Sequence, residues 1–84
     1  MITIHYFASV REAMARDREQ LELPPGVTTV AGLVQHLGQQ DARFARLAGG
    51  DNPLLVAVNQ TIATPSQSLA ADDEVAFFPP MTGG

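Results

Sequence analysis

The clearest periodic signal in this 84-residue chain is one amphipathic helix. Val30, Leu33, Val34 and Leu37 fall at i, i+3, i+4 and i+7, a single apolar stripe that Thr28 or Thr29 can cap. One helix cannot bury its own stripe, so the remainder of the chain has to supply the opposing surface. The flanking segments read as strands. Ile2, Ile4 and Tyr6 alternate with Thr3, His5 and Phe7 over residues 2–7, and Glu19 to Leu23 alternates again around Leu21 and Leu23. Leu54 to Val58 is a continuous apolar run of strand length, which reads as a central strand buried on both faces, and residues 74–79 form a last strand. A hairpin, one main helix and further strands give an α+β class: a mixed sheet with that helix packed on one face and the other face less covered.

Local signals fill in the connections. Val10, Ala13 and Met14 mark a short helix within residues 9–16, and Pro24-Pro25-Gly26 forces a turn. Gly32 costs its helix about 1 kcal/mol relative to alanine, which points to a close approach by a neighbouring segment, and Gly38 marks the helix end. Asp41 can cap a further short helix carrying Phe44 and Leu47, closed by Gly49-Gly50. Ile62 lies on a brief return strand, Leu69 pins the loop 65–71, and Asp72-Asp73 turns the chain into its last strand.

Size and charge narrow the functional classes. A chain this short buries only about 60 to 65% of the surface its unfolded form exposes, enough for one core and little enclosed active site. Nine acidic residues against five basic ones give a net charge of -4, which disfavours nucleic acid and anionic membrane as partners. All five bases are arginines, so no lysine side chain can accept an isopeptide bond. With no cysteine there is no disulfide, thiolate nucleophile or thiolate metal site. The first residues lack the pattern of a signal peptide and no run reaches membrane-spanning length, so a cytoplasmic location is expected.

The last strand carries the most informative pattern. Phe77 shares a face with Val75, and Phe78 with Ala76, so one phenylalanine points away from the core that holds the other. With the main helix over Val75 and Phe77, Phe78 is expected on the open face beside Phe7 and Ile62, forming a partner-binding surface. Pro79-Pro80 ends the sheet and stiffens the exit. Pro80, Met81, Thr82, Gly83 and Gly84 are then expected to form a flexible tail ending in an unhindered carboxylate. Two glycines at a chain end arise by chance about once in 200 sequences, and a frayed end of small residues is the common alternative.

Side-chain chemistry offers no competing site. His5 and His36 are ordinary histidines on this reading, neither surrounded by metal-ligating groups. Asp72-Asp73-Glu74 reads as a solvated turn, because consecutive acids opening a strand diverge. Ser9, Ser66 and Ser68 lack a histidine-acid partnership, and no Gly-Lys-Ser/Thr follows Gly49-Gly50 to make a phosphate loop.

The ending Asp73-Glu74-Val75-Ala76-Phe77-Phe78-Pro79-Pro80-Met81-Thr82-Gly83-Gly84 resembles the family of small, sulfur-carrying subunits of molybdopterin synthase. Tyr6-Phe7-Ala8-Ser9-Val10-Arg11-Glu12 and Val58-Asn59-Gln60 match the same pattern, so the resemblance spans nearly the whole chain. It implies a ubiquitin-like β-grasp domain over residues 1–79 with a tail at 80–84. It also implies that the Gly84 carboxylate is adenylated by an ATP-dependent activating enzyme and then thiocarboxylated. Sulfur would pass to cyclic pyranopterin monophosphate, forming the dithiolene of molybdopterin. The implied partners are the activating enzyme and the large synthase subunit, in a heterotetramer, with the catalytic side chains on that subunit. ATP is consumed by the activating enzyme and no cofactor is expected to stay bound here. Other readings stay open: a carrier for thiazole synthesis or tRNA thiolation, which the Phe77-Phe78-Pro79-Pro80 approach disfavours, a protein-conjugating modifier whose Gly84 becomes amide-linked to another protein's lysine, a β-grasp interaction module whose tail does no chemistry and, last, a stand-alone enzyme.

Overall fold

The computed structural model describes residues 1–49 and 54–79. Eight elements follow in order: β1 (Ile2–Tyr6), α1 (Ala8–Met14), β2 (Arg18–Leu21), α2 (Val30–Gln40), α3 (Ala42–Ala48), β3 (Leu55–Val58), β4 (Thr61–Ile62) and β5 (Glu74–Phe78). The strands form one mixed sheet in the order β2-β1-β5-β3-β4. β1 and β5 run parallel, pairing Ile4 with Val75 and Tyr6 with Phe77, while the other neighbours are antiparallel. The centre of the sheet is therefore β5 rather than β3. β3 is buried at Val56, Ala57 and Val58 as its apolar run implied, but only two-residue β4 lies outside it.

The period-two alternation sorts the strands into two faces. Ile2, Ile4 and Tyr6 from β1, Val56 and Val58 from β3, and Val75 and Phe77 from β5 join one core with Val10, Met14, Val30, Leu33, Leu37 and Phe44 from the helices. At its middle Phe77 meets Phe44 edge-on at 5.0 Å and stacks beside Tyr6 at 6.2 Å between ring centroids. Thr29 caps α2 by accepting the Gly32 N–H at 3.2 Å, and Asp41 caps α3 by accepting the Arg43 N–H at 2.8 Å.

Gly38 does not end α2, which continues to Gln40. A Cβ at this position would lie 3.4 Å from Ala45 Cβ and 3.5 Å from Ala45 Cα, so the missing side chain lets α3 fold back closely against α2. At Gly32 the expected close approach is modest, since a Cβ there would meet Thr29 and Val27 at ordinary contact distance, 3.5 Å. Left-handed backbone recurs in the turns, at Gly26, at Asn59 and Gln60, and at Asp72 before β5. Gly26 has φ +86 in the turn that Val27 closes by donating to the Pro24 carbonyl. Asn59 and Gln60, with φ 49 and 70, give the β3–β4 hairpin the paired positive φ of a type I′ turn.

Candidate functional site

With the helices packed on one face of the sheet, the other is left bare. Across its middle four residues fall in register, His5 on β1, Ala76 on β5, Ala57 on β3 and Ile62 on β4. The two central alanines are too small to fill their share of the surface. A depression of about 400 Å³ results, floored by Ala57 and Ala76, walled by Phe7, Phe78 and Ile62, and rimmed by His5, Gln60 and Glu74. Phe7 is 43% exposed and Ile62 67% exposed. Large apolar groups left to water in this way mark a surface that another molecule covers.

The aromatic side of the depression is organised. Phe7 and Phe78 stack with centroids 4.9 Å apart and planes 6° from parallel, and His5 stacks with Phe7 at 6.3 Å. The partner-binding set expected from the sequence, Phe7, Ile62 and Phe78, thus borders a single depression. Its Phe78 is the last residue of β5, so the strand ends at the stacked pair. The tail positions Pro80, Met81, Thr82, Gly83 and Gly84 lie outside the described residues.

Polar groups around this face are mostly tied to the fold. Asn59 donates to Asp73 Oδ1 at 3.0 Å and accepts the Glu74 N–H at 3.0 Å, which clamps the hairpin turn to the start of β5. The Ala70 N–H, with the Asn59 amide second, holds the Asp73 carboxyl below its ordinary pKa. Asp73 is therefore a turn strut, and among the described residues no group of three or more histidines or acids is placed to hold a metal. Glu74 Oε1 approaches His5 Nε2 at 3.4 Å. On the helix side, Tyr6 donates its hydroxyl to Glu19 at 2.7 Å, and Arg16 donates to the same oxygen at 3.2 Å. Burial first, and Glu19 second, push the Tyr6 hydroxyl pKa well above its ordinary value.

Three contributors were missed by sequence reasoning. Ala57 and Ala76 shape the depression by being small, a role that composition does not signal. His5 was read as unremarkable, yet the alternation that places Phe7 opposite the core places His5 on the same face. His36 lies on α2, and Ser66 only exchanges a 3.1 Å hydrogen bond with Thr64. Among the described residues no helix is long and apolar enough to cross a membrane.

Comparison with known proteins points the same way. The ThiS family model matches residues 4–84. The molybdopterin synthase sulfur carrier subunit of Escherichia coli K12 is 46% identical over 84 residues, covering 100% of both chains. Its Haemophilus influenzae counterpart is 39% identical with the same complete coverage. In structure, SAMP1 from Haloferax volcanii superposes with a TM-score of 0.81 at 25% identity, covering 99% of this chain and 98% of that one. A ubiquitin-like β-grasp sheet, a match to the family model over residues 4–84 and relatives of this identity together show that the chain belongs to the ThiS family, among the sulfur carrier subunits of molybdopterin synthase.

Proposed function

We propose that this sulfur carrier works through the carboxylate of Gly84. An activating enzyme transfers AMP from ATP to that carboxylate, releasing pyrophosphate. A sulfur nucleophile then displaces AMP to leave a thiocarboxylate. The step is needed because a carboxylate is a poor electrophile until one oxygen becomes part of a good leaving group. The charged tail then enters the large subunit of molybdopterin synthase and passes its sulfur to cyclic pyranopterin monophosphate. A dithiolene holds two sulfurs, so two charged carriers are consumed for each product.

The observation that carries this reading is the meeting of two features at one end of β5. The stacked Phe7 and Phe78 offer an apolar docking surface, and the sequence that follows is Pro79-Pro80-Met81-Thr82-Gly83-Gly84. Residues 80–84 fully extended span at most roughly 17 Å, enough to carry a terminal carboxylate from a docked surface into a neighbouring subunit's pocket. Glycine at both last positions leaves the carbonyl open to nucleophiles. The chain acts as a macromolecular cosubstrate, and the catalytic groups belong to the proteins it meets.

Intact mass spectrometry after incubation with ATP, the activating enzyme and a sulfur source tests the first half. One oxygen replaced by sulfur, mapped to Gly84, is the expected outcome. An unmodified terminus, under conditions that charge the Escherichia coli relative, would count against the reading. Deleting Gly84 is expected to abolish sulfur transfer while leaving the circular dichroism spectrum unchanged.

A further inference from the structure

We propose that the docking surface extends past the aromatic pair onto β2, where Arg18 receives a carboxylate of the partner that covers Phe7 and Phe78. This inference rests on the docking role assigned to those phenylalanines.

The sheet register supplies the continuity. Arg18 is the cross-strand neighbour of His5 on the open face, His5 stacks on Phe7, and Phe7 stacks on Phe78. A row of four side chains therefore runs from the end of β5 to the outer edge of the sheet. Beyond Phe7 it opens into a second depression of about 380 Å³, bordered by Arg11 from α1, by Arg18 and by Asp17.

Charge identifies what this end of the row can take. Arg16 pairs with Glu19 at 3.2 Å and Arg43 with Asp41 at 2.8 Å. Arg11, Arg18 and Arg46 have no carboxylate within 4.0 Å among the described residues, and of these Arg11 and Arg18 are both exposed and border one depression. Asp17 shares that depression, so its three fully charged groups sum to +1 against -4 for the chain. Glu74, in register with Thr3 at the end of β5 away from Phe78, is the carboxylate that approaches His5, at 3.4 Å. A partner carrying an apolar patch bordered by a carboxylate fits this sequence of surfaces. The guanidinium fork donates two parallel hydrogen bonds to a carboxylate and so sets the register of docking as well as its rate.

The test measures association of the full chain with the large synthase subunit at about 0.05 M and about 0.5 M salt, where the screening length falls from over 10 Å to a few ångströms. Arg18→Ala is expected to weaken binding about two- to fivefold at low salt, mostly through a slower on-rate, and to have little effect at high salt. Arg18→Glu is expected to weaken it further, again only at low salt. Phe78→Ala serves as the control, weakening binding at both. If Arg18→Glu matches the native chain at both salts while Phe78→Ala binds poorly, the inference is overturned and the docking surface stands. If Phe7→Ala, Phe78→Ala and Arg18→Glu all bind as the native chain does, the docking reading fails and takes the inference with it.

Discussion

Gly26 and Gly32 show how differently two glycines can serve one chain. Nothing lies within 4 Å of a Cβ built on Gly26, so the whole demand there is on the backbone, held at φ +86. Gly26→Ala is expected to lower stability by about 1 kcal/mol through left-handed strain alone. Gly32 has no such φ, and a Cβ would find ordinary contacts at 3.5 Å in the first turn of α2. Gly32→Ala is expected to be neutral or stabilising by a few tenths of a kcal/mol. Urea denaturation of the two variants checks the contrast, and equal losses in both would contradict it. Tyr6 makes a pH-dependent contribution. Its hydroxyl pKa is raised in the folded chain, by burial and then by the bond to Glu19. The unfolded chain therefore ionises first, near the ordinary value of about 10, and stability declines as pH rises from there. Tyr6→Phe is expected to lose roughly 1 kcal/mol at neutral pH and to flatten the alkaline decline. Melting curves from pH about 8 to 11 would reveal it.

At the scale of elements, β5 separates stability from docking by one residue. Phe77 is fully buried between Tyr6 and Phe44, whereas Phe78 faces outward against Phe7. Phe77→Ala is expected to cost about 3–5 kcal/mol and to unfold much of the population. Phe78→Ala should leave a well-folded chain that binds its partner poorly. Chemical denaturation paired with a binding isotherm distinguishes the two, and similar stability losses would refute the division of labour. This division was legible in sequence, because a strand's alternation fixes which neighbours share a face. The helical stripe of α2, both helix caps and the apolar set of the open face were legible for the same reason: each is a short-range pattern. Gly38 was misread because a glycine late in a helix is a local stop signal, and the contact that overrides it comes from Ala45 on another helix. The place of β5 was hidden as well. A buried run such as Leu54–Val58 reports burial, not which strand sits beside it, and the parallel pairing of β1 with β5 joins residues about 70 positions apart.

For the whole molecule, that pairing governs cooperativity. β5 is bonded to β1 on one side and β3 on the other, so it bridges a β1–β2 hairpin and a β3–β4 hairpin that share no strand-to-strand pairing. A chain ending at Asp73 keeps four of the five strands yet loses both central ladders, together with Val75 and Phe77 from the core. It is expected to show neither a cooperative thermal transition nor dispersed amide signals by NMR. A native-like melt of this fragment would show that the hairpins and α2 suffice without their bridge. Separate hairpins are marginal in water, which is why the loss should be total rather than partial.

The central position of β5 also bears on how the carrier is made. Ribosomes deliver a chain from its first residue onward, and here the strand that closes the sheet is the last to emerge. A nascent or prematurely stopped chain cannot complete the fold and is left as a substrate for proteases. Folding of this carrier is therefore expected to act as a proofreading step, since a chain stopped before β5 lacks the strand that joins the two halves of the sheet.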